Sequence, residues 1–135
     1  MYKNILVPVL FDNQHDTPAS YAAARALGDD DAAFTVMHVL EAIPAYAASE
    51  VPKEVLAKTK NDAEEFLTES AKALPGASAA LVSGHAGKTI VDYANEHDID
   101  CIIMASHRPG IEDFFLGSTA SRVVRHAGCS VHIIR

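Results

Sequence analysis

The chain has little cysteine and no long hydrophobic run, and each absence excludes a class of protein. Its two cysteines, Cys101 and Cys129, form neither a Cys-x-x-Cys pair nor another metal-ligand spacing, so we expect no metal site. Both lie in apolar surroundings and are predicted to be reduced thiols in the core. No stretch approaches about 18 apolar residues, and MYKNILVPVLFDNQ at the start contains no signal-peptide core. These absences predict a cytoplasmic protein without membrane insertion.

Basic residues are also scarce. The chain has 11 lysines and arginines against 18 aspartates and glutamates, which gives a net charge of -7 at pH 7. A surface of this sign repels phosphate backbones, so the composition argues against nucleic acid and anionic membranes as partners. If the chain binds a phosphate, a local feature must overcome the global field. The acidic excess, predicted to be solvated surface, lies in residues 28–31, 61–66 and 92–100.

Apolar runs and amphipathic stretches alternate along the chain. With 135 residues, 49% of them hydrophobic, it can form one domain over residues 1–135 with a full core. The order βαβαβαβαβ predicts a parallel sheet with helices on both faces. The predicted strands are 4–9, 33–40, 77–84, 99–106 and 129–135, and the predicted helices are 16–28, 51–74, 87–98 and 118–127, with a loop at 41–50. The long helix is expected to turn Val55, Ala63, Phe66, Leu67 and Leu74 toward the core.

The segment between the fourth predicted strand and the last helix is long and polar for such a connection. Ligands of parallel sheets bind at the carboxyl ends of the strands, where this segment lies. A helix N-terminus exposes unpaired N–H groups, and Gly117 would let an anion approach them, with Ser118 and Thr119 as hydroxyl donors. Gly110 allows the segment to turn back, and Arg108 adds a positive charge. The residues therefore predict a phosphate site, and the alternative is that Ser118 is simply an N-cap.

No Walker A motif or catalytic set accompanies this segment. The GKT that begins at Gly87 lacks the required upstream glycine, because that position is Val82, and Gly87 is interpreted as the entry to a helix. Among seven histidines, His38 and His132 lie in predicted strands and are expected to be packed and hydrogen-bonded. His107 differs because it belongs to the polar segment. No GxSxG, HExxH or paired-carboxylate pattern occurs.

The sequence resembles the universal stress protein family over its whole length. The resemblance rests on ILVPV near the start, on the order of elements, and on IIMASHRPG…FLGSTASRVVRHAGCSVHIIR at the end. Within residues 101–135 the chain is similar to bacterial F- and G-type members. The resemblance implies a single-domain, Rossmann-like, three-layer α/β/α sandwich whose five parallel strands have the order 3-2-1-4-5. The strand order would then reverse between the first and fourth strands, beside the polar segment.

The resemblance also implies ATP as a ligand, with ADP or AMP as alternatives and Mg²⁺ as a companion of ATP. Nucleotide-binding members carry G-x2-G-x9-G-[ST] after the fourth strand. Gly117 and Ser118 match the end of this pattern, whereas Ala105 and Arg108 stand at the first two glycine positions. The segment is also one residue shorter than the pattern, and Gly110 is the candidate to replace the missing flexibility.

A second departure follows the first strand. The family usually has an acidic residue two positions after the proline, where it helps to hold the adenine, but this chain has Leu10 there, with Asp12 nearby. Val39 falls where the family lines its adenine pocket. The residues that the resemblance places at the nucleotide are Pro8, Val9, Leu10, Val39, Met104, Ala105, Ser106, His107, Arg108, Gly110, Gly117, Ser118 and Thr119.

Three functions are consistent with these residues. The first is a nucleotide-responsive regulatory module of the stress response, in which ATP changes the surface offered to an unidentified protein partner. The second is a nucleotide-free dimer that acts by interaction alone. The third is a weak ATPase, or a protein that autophosphorylates at Ser118 or Thr119, although no general base or Mg²⁺-holding carboxylate is evident.

The end of the chain predicts a homodimer. SVHIIR at 130–135 is an apolar strand, and in the order 3-2-1-4-5 it lies at the sheet edge without a proline or lysine to blunt it. Pairing with the same strand of a second copy would satisfy its free backbone groups around a two-fold axis. The resemblance implies the same interface, which would include Val131 and Ile133.

Overall fold

The computed structural model describes residues 1–9, 17–106 and 116–135. Within these ranges, five strands alternate with helices in the predicted manner, and one further short helix follows the second strand. The strands are β1 Tyr2–Pro8, β2 Gly28–Glu41, β3 Ser78–Gly84, β4 Cys101–Ala105 and β5 Ser130–Ile134. The helices are α1 Thr17–Leu27, α2 Ala45–Ala48, α3 Lys53–Ala71, α4 Ala86–Glu96 and α5 Ser118–His126.

The five strands form one parallel sheet in the order β3-β2-β1-β4-β5, which confirms the predicted fold class. Successive side chains of a strand point to opposite faces of the sheet. In β1, Ile5 and Val7 therefore lie in the core formed with α1 and α3, and Leu6 lies in the core formed with α4 and α5. Because β1 is buried on both faces, its sequence is a continuous apolar run.

The amino end of β1 is fixed by the carboxylate of Asp100. The backbone N–H groups of Lys3 and Asn4 donate to its two oxygens at 2.8 and 3.0 Å, and the N–H of Asp100 donates to the Asn4 carbonyl at 3.0 Å. The Asn4 amide donates to the carbonyls of His97 and Asp98, and Asp98 has a left-handed φ of 54°. This network holds the register of β1 against the segment that leads into β4.

β2 is longer than predicted. α1 ends directly before Gly28, as predicted, but the strand begins at Gly28 itself and not at the predicted residue 33. Gly28 pairs with Tyr2, and an irregularity in register follows. The N-terminal ammonium contacts Asp29, and Lys3 lies 3.5 Å from the same carboxylate. Asp29, in the added part of β2, thus lies beside the positive charges at the start of β1.

The connection after β2 also differs from prediction. α2 lies within the predicted loop 41–50, and its first turn is closed by N–H groups of Ala47 and Ala48 that donate to the Pro44 carbonyl. α3 is shorter than predicted at both ends. Residues 52–61 are all exposed, so the prediction that Val55 faces the core is wrong, and its exposed fraction is 50%. The remaining elements agree with prediction to within two residues at each end.

Both cysteines are free thiols, but only Cys101 is buried. Cys129 is half-buried and packs against the edge of the core of α4 and α5, next to the edge strand β5, so its predicted core position is confirmed only in part. Burial raises the pKa of Cys101 to about 11 and raises that of Cys129 as well. Within the described ranges, no helix is long and apolar enough to cross a membrane.

Two glycines with positive φ provide a test of the packing at the end of β3. Gly84 has φ +146°, and an added Cβ would lie 2.5 Å from Thr89 Oγ1; Gly76 has φ +82° and no described atom within 4 Å of such a Cβ. We expect Gly76→Ala to lower the free energy of unfolding by about 1–2 kcal/mol through backbone strain. Gly84→Ala should lower it by about 1–3 kcal/mol more, because a steric clash is added. Urea denaturation measures both losses, and equal values would show that Thr89 moves aside without cost.

Candidate functional site

The candidate site lies at the carboxyl ends of β1 and β4, the neighbouring strands at which the strand order reverses. The last residues that pair between the two strands are Leu6 and Ile102, and the strands then continue to Pro8 and Ala105. The chain proceeds from β1 toward β2 and from β4 toward β5, which lie on opposite sides. This divergence opens a crevice of the kind in which parallel sheets bind ligands.

On the β1 side, Val9 extends beyond the strand and is held by two consecutive residues of β2. Its N–H donates to the Met37 carbonyl at 2.7 Å, and its carbonyl lies 2.9 Å from His38 Nδ1. A carbonyl can only accept, so the imidazole Nδ1 is the donor. His38 is 7% exposed and packs edge-on against Phe66. The prediction that His38 is packed and hydrogen-bonded is confirmed.

On the β4 side, the end of the strand is tied to β5. The Ser106 N–H donates to the Ile134 carbonyl at 2.9 Å, and Ser106 and Ala105 are half-buried. Gly117 lies next to Ser106, since a Cβ built on Gly117 would be 4.0 Å from the Ser106 carbonyl oxygen, its nearest atom among the described residues. The structure therefore brings the end of β4 and the start of α5 together.

Gly117 is the N-cap of α5, with extended backbone angles, and among the described residues no side chain caps this terminus. Ser118 is the first residue of the helix, so the interpretation of Ser118 as a simple N-cap is wrong. Gly117 and Ser118 are exposed and Thr119 is half-buried, whereas Ala120 anchors the helix in the core. Among the described residues, no side chain therefore caps the first-turn N–H groups of α5, and beyond the adjacent residues the nearest described neighbour of a Cβ at Gly117 is the Ser106 carbonyl oxygen at 4.0 Å.

The N-terminus of α4 is closed, in contrast to that of α5. Glu41 Oε1 accepts a hydrogen bond from the Ala86 N–H at 3.2 Å, so a carboxylate of the chain itself lies where an anion would bind. Gly87 lies buried within the first turn, and a Cβ there would be 2.7 Å from Arg122 Cδ. Gly87 therefore permits α4 and α5 to pack closely. The prediction that AGKT begins a helix is confirmed, with Ala86 rather than Gly87 as the first residue.

The charge around α5 is opposite to that of the whole chain. Residues 116–135 contain three arginines, Arg122, Arg125 and Arg135, and no acidic residue, although the net charge is -7. Arg122 and Arg125 are exposed on α5. The composition of this stretch therefore favours an anion more than the composition of the whole chain does. The charge distribution could have been read from the sequence, whereas the Glu41 contact could not.

The remaining predicted site residues differ in burial, and some lie outside the described residues. The side chains of Val9 and Met104 are buried in the two cores, so only their backbone can reach a ligand, and Pro8 and Val39 are half-buried. Four predicted contacts lie outside the described residues: Leu10, His107, Arg108 and Gly110. Asp12 lies there too. Within the described ranges, no three His, Cys, Asp or Glu side chains form a group that could hold a metal ion.

His132 does not have the packed position that the sequence predicted. It is exposed on β5, where it alternates with Val131 and Ile133, which pack against the core of α4 and α5. β5 is an edge strand, and its opposite face is only partly covered. The sequence pattern identified His132 as a strand residue but did not show which face of the strand the helices cover.

Solved structures share this fold, and some contain adenine nucleotides. The chain is similar to the universal stress protein UspA from Lactobacillus plantarum, with 31% identity, a TM-score of 0.72, and coverage of 99% of this chain and 98% of that one. Three other structures of universal stress proteins contain a nucleotide. One is a complex with cAMP, the second is the protein from Archaeoglobus fulgidus in complex with dAMP, and the third is the protein from Arabidopsis thaliana with AMP bound. They are 17–20% identical, with TM-scores of 0.62–0.70, and cover 98–99% of this chain and 90–98% of theirs, which shows a common fold.

Sequence comparison agrees with the structural likeness. A putative universal stress protein of Staphylococcus aureus strain USA300 is 31% identical over 145 residues, which cover 99% of this chain and 84% of that protein. The family model of the universal stress proteins matches residues 1–135. The chain therefore belongs to the universal stress protein family.

Proposed function

We propose that this protein binds an adenine nucleotide, ATP in the first place, in the crevice between β1 and β4, and acts as a nucleotide-responsive module of the stress response. The observation that supports this most strongly is the open N-terminus of α5 at the point where the strand order reverses. The adenine nucleotides in three structures of the same fold favour this class of ligand.

The phosphates would bind at the start of α5. The first-turn N–H groups and the positive end of the helix dipole attract an anion, and Gly117 leaves the approach open. The hydroxyls of Ser118 and Thr119 add donors, and the exposed arginines of α5 lower the cost of bringing a polyanion to an acidic protein. α4 is not an alternative, because Glu41 already contacts its N-terminus.

The base would lie on the side of β1 and β2. β1 ends there at Pro8, and the backbone of Val9 follows it. Val39 directly follows His38 in β2. Met104, Ala105 and Ser106 would line the crevice from β4, and Leu10, His107, Arg108 and Gly110 are proposed contacts from the adjoining segments. Mg²⁺ would accompany ATP with the phosphates as its main ligands, since this ion is usually held by phosphate oxygens and water.

The bound nucleotide would stabilise the folded protein. A molecule that bridges α5 and the β1–β2 side favours the conformations in which these elements are correctly placed, and it stabilises the fold by mass action. The surface around the crevice would then differ between loaded and empty protein. An unidentified protein partner that distinguishes the two surfaces would receive the signal.

The first test is whether the purified protein carries or binds an adenine nucleotide. We expect mass spectrometry of the supernatant after denaturation to detect ATP, ADP or AMP, and calorimetric titration of nucleotide-free protein to show binding of ATP but weaker binding of GTP. Protein that releases no nucleotide and gives no binding heat with any adenine nucleotide would contradict the proposal. Such a result would favour an interaction protein that needs no nucleotide.

Gly117→Val tests the phosphate end of the site. The larger side chain should block the approach to the first-turn N–H groups and weaken ATP binding by about 2 kcal/mol or more, the scale of hydrogen bonds to a charged group. Thermal stability without nucleotide should change little, because beyond the adjacent residues no described atom lies closer than 4.0 Å to the added Cβ. Gly128→Val is the matched control beyond the other end of α5 and should leave affinity unchanged. Full affinity in folded Gly117→Val would exclude this cradle.

We further propose that two copies pair through β5. The Ile134 carbonyl accepts from Ser106, so the peptide groups of Ile134 face β4. Because peptide directions alternate along a strand, the N–H and carbonyl groups of Val131 and Ile133 point away from the sheet. An apolar edge with free backbone groups is suited to antiparallel pairing with the same edge of a second copy.

Ile133→Pro should therefore produce a monomer. Proline removes an N–H that points away from β4, so the sheet of each copy keeps its own hydrogen bonds. Ile133→Ala, which keeps the N–H, should remain dimeric. Light scattering after size-exclusion chromatography measures the masses. Wild-type protein that is monomeric at micromolar concentration, or an Ile133→Pro variant as dimeric as wild type, would contradict this interface.

A further inference from the structure

Both backbone polar groups of Val9 are held by β2. The N–H donates to Met37 at 2.7 Å, as the ladder of a parallel sheet provides, but the carbonyl receives its hydrogen bond from the side chain of His38 at 2.9 Å. Val9 is 4% exposed, so this bond satisfies a buried carbonyl. The chain just beyond β1 is thus fixed by a histidine from the neighbouring strand.

The imidazole itself is held in place by packing. His38 is almost fully buried, and its ring stands at 71° to that of Phe66 in α3, with the centroids 6.1 Å apart. Phe66 packs against the core of α1 and α3. A ring fixed in this way presents Nδ1 to the Val9 carbonyl without searching among rotamers, so the bond orients the backbone as well as satisfying it.

We propose that His38 is a positioning residue of the nucleotide site, which sets the backbone of Val9 on the base side of the crevice. The inference rests on the proposed function. His38 precedes Val39 in the chain and bonds to Val9, so it connects the two residues that would flank the base. It would touch no nucleotide itself, and its effect would pass through the Val9 carbonyl.

Removal of the donor should change the conformation of the free protein. A buried carbonyl without a partner is unfavourable, and the segment at Val9 can reduce that cost by turning toward water. The fraction of protein with a correctly placed backbone then falls, and apparent affinity falls by the same factor. The loss concerns the base side alone, because the phosphates would be held across the crevice at α5.

His38→Phe and His38→Asn separate the hydrogen bond from the packing. Phenylalanine keeps an aromatic ring against Phe66 and removes the donor, whereas the asparagine amide places a donor near the position of Nδ1. We expect His38→Phe to weaken AMP binding about tenfold and His38→Asn to recover most of this loss, a size that corresponds to one unpaired buried carbonyl. Ribose 5-phosphate, which lacks the base, should bind all variants equally.

Tyr21→Phe is the control for a general loss of stability. It removes a 2.5 Å hydrogen bond between Tyr21 and Ser70, which joins α1 to α3. This variant should have a lower melting temperature but an unchanged affinity for AMP. If His38→Phe does not fold, His38→Gln replaces it, because its amide lies at the position of Nε2 and cannot serve the Val9 carbonyl in the same way.

Calorimetry with AMP and ribose 5-phosphate, together with amide hydrogen exchange, decides the matter. In His38→Phe the Val9 amide should exchange faster while that of Ile103 in β4 stays protected. Equal AMP affinity in wild type and His38→Phe would overturn the inference and leave nucleotide binding intact. Equal losses for AMP and ribose 5-phosphate would also overturn it. Wild-type protein that binds no adenine nucleotide would overturn the proposed function, and the inference with it.

Discussion

The burial of β1 on both faces, between β2 and β4, is the constraint on which the rest of the structure depends. Ile5, Leu6 and Val7 are fully buried, and a shift of one residue would exchange their faces and place each side chain in the wrong core. Asp100 adds polar specificity at the amino end, where two N–H groups of β1 reach its carboxylate. A strand fixed so firmly at its start has a defined end, and that end borders the crevice.

α4 and α5 both begin at the carboxyl edge of the sheet, and their first-turn N–H groups have different surroundings. The orphan N–H groups of α4 face Glu41, an anion that the protein supplies from the end of β2. Those of α5 follow Gly117, and no side chain of the described residues caps them. At α4 the attraction between the helix dipole and a carboxylate therefore stabilises the fold, whereas at α5 the same attraction would be available to an anionic ligand. The position of Glu41 therefore decides which of the two helix N-termini is left for a ligand.

The sequence predicted those features that depend on local pattern. Apolar periodicity identified every strand of the sheet, and the strand order followed from the family resemblance and was confirmed. The errors concern pairing between distant residues. The added part of β2 pairs with Tyr2 and places Asp29 beside Lys3, and Val55 lies in the exposed first half of α3. Glu41 could not be connected with α4 from spacing alone, since 45 positions separate it from Ala86.

The exposed first half of α3 has a consequence for local stability. Residues 52–61 are all exposed, and a surface ion pair between Lys58 and Asp62 at 2.7 Å spans one turn there. Such pairs contribute little, and a short helix without tertiary contacts is marginal in water. This half of α3 can therefore unfold and reform separately from the sheet, whereas Ala63 and Leu67 keep the second half in the core. Cooperative unfolding of the domain and opening of this segment are then two events with different free energies.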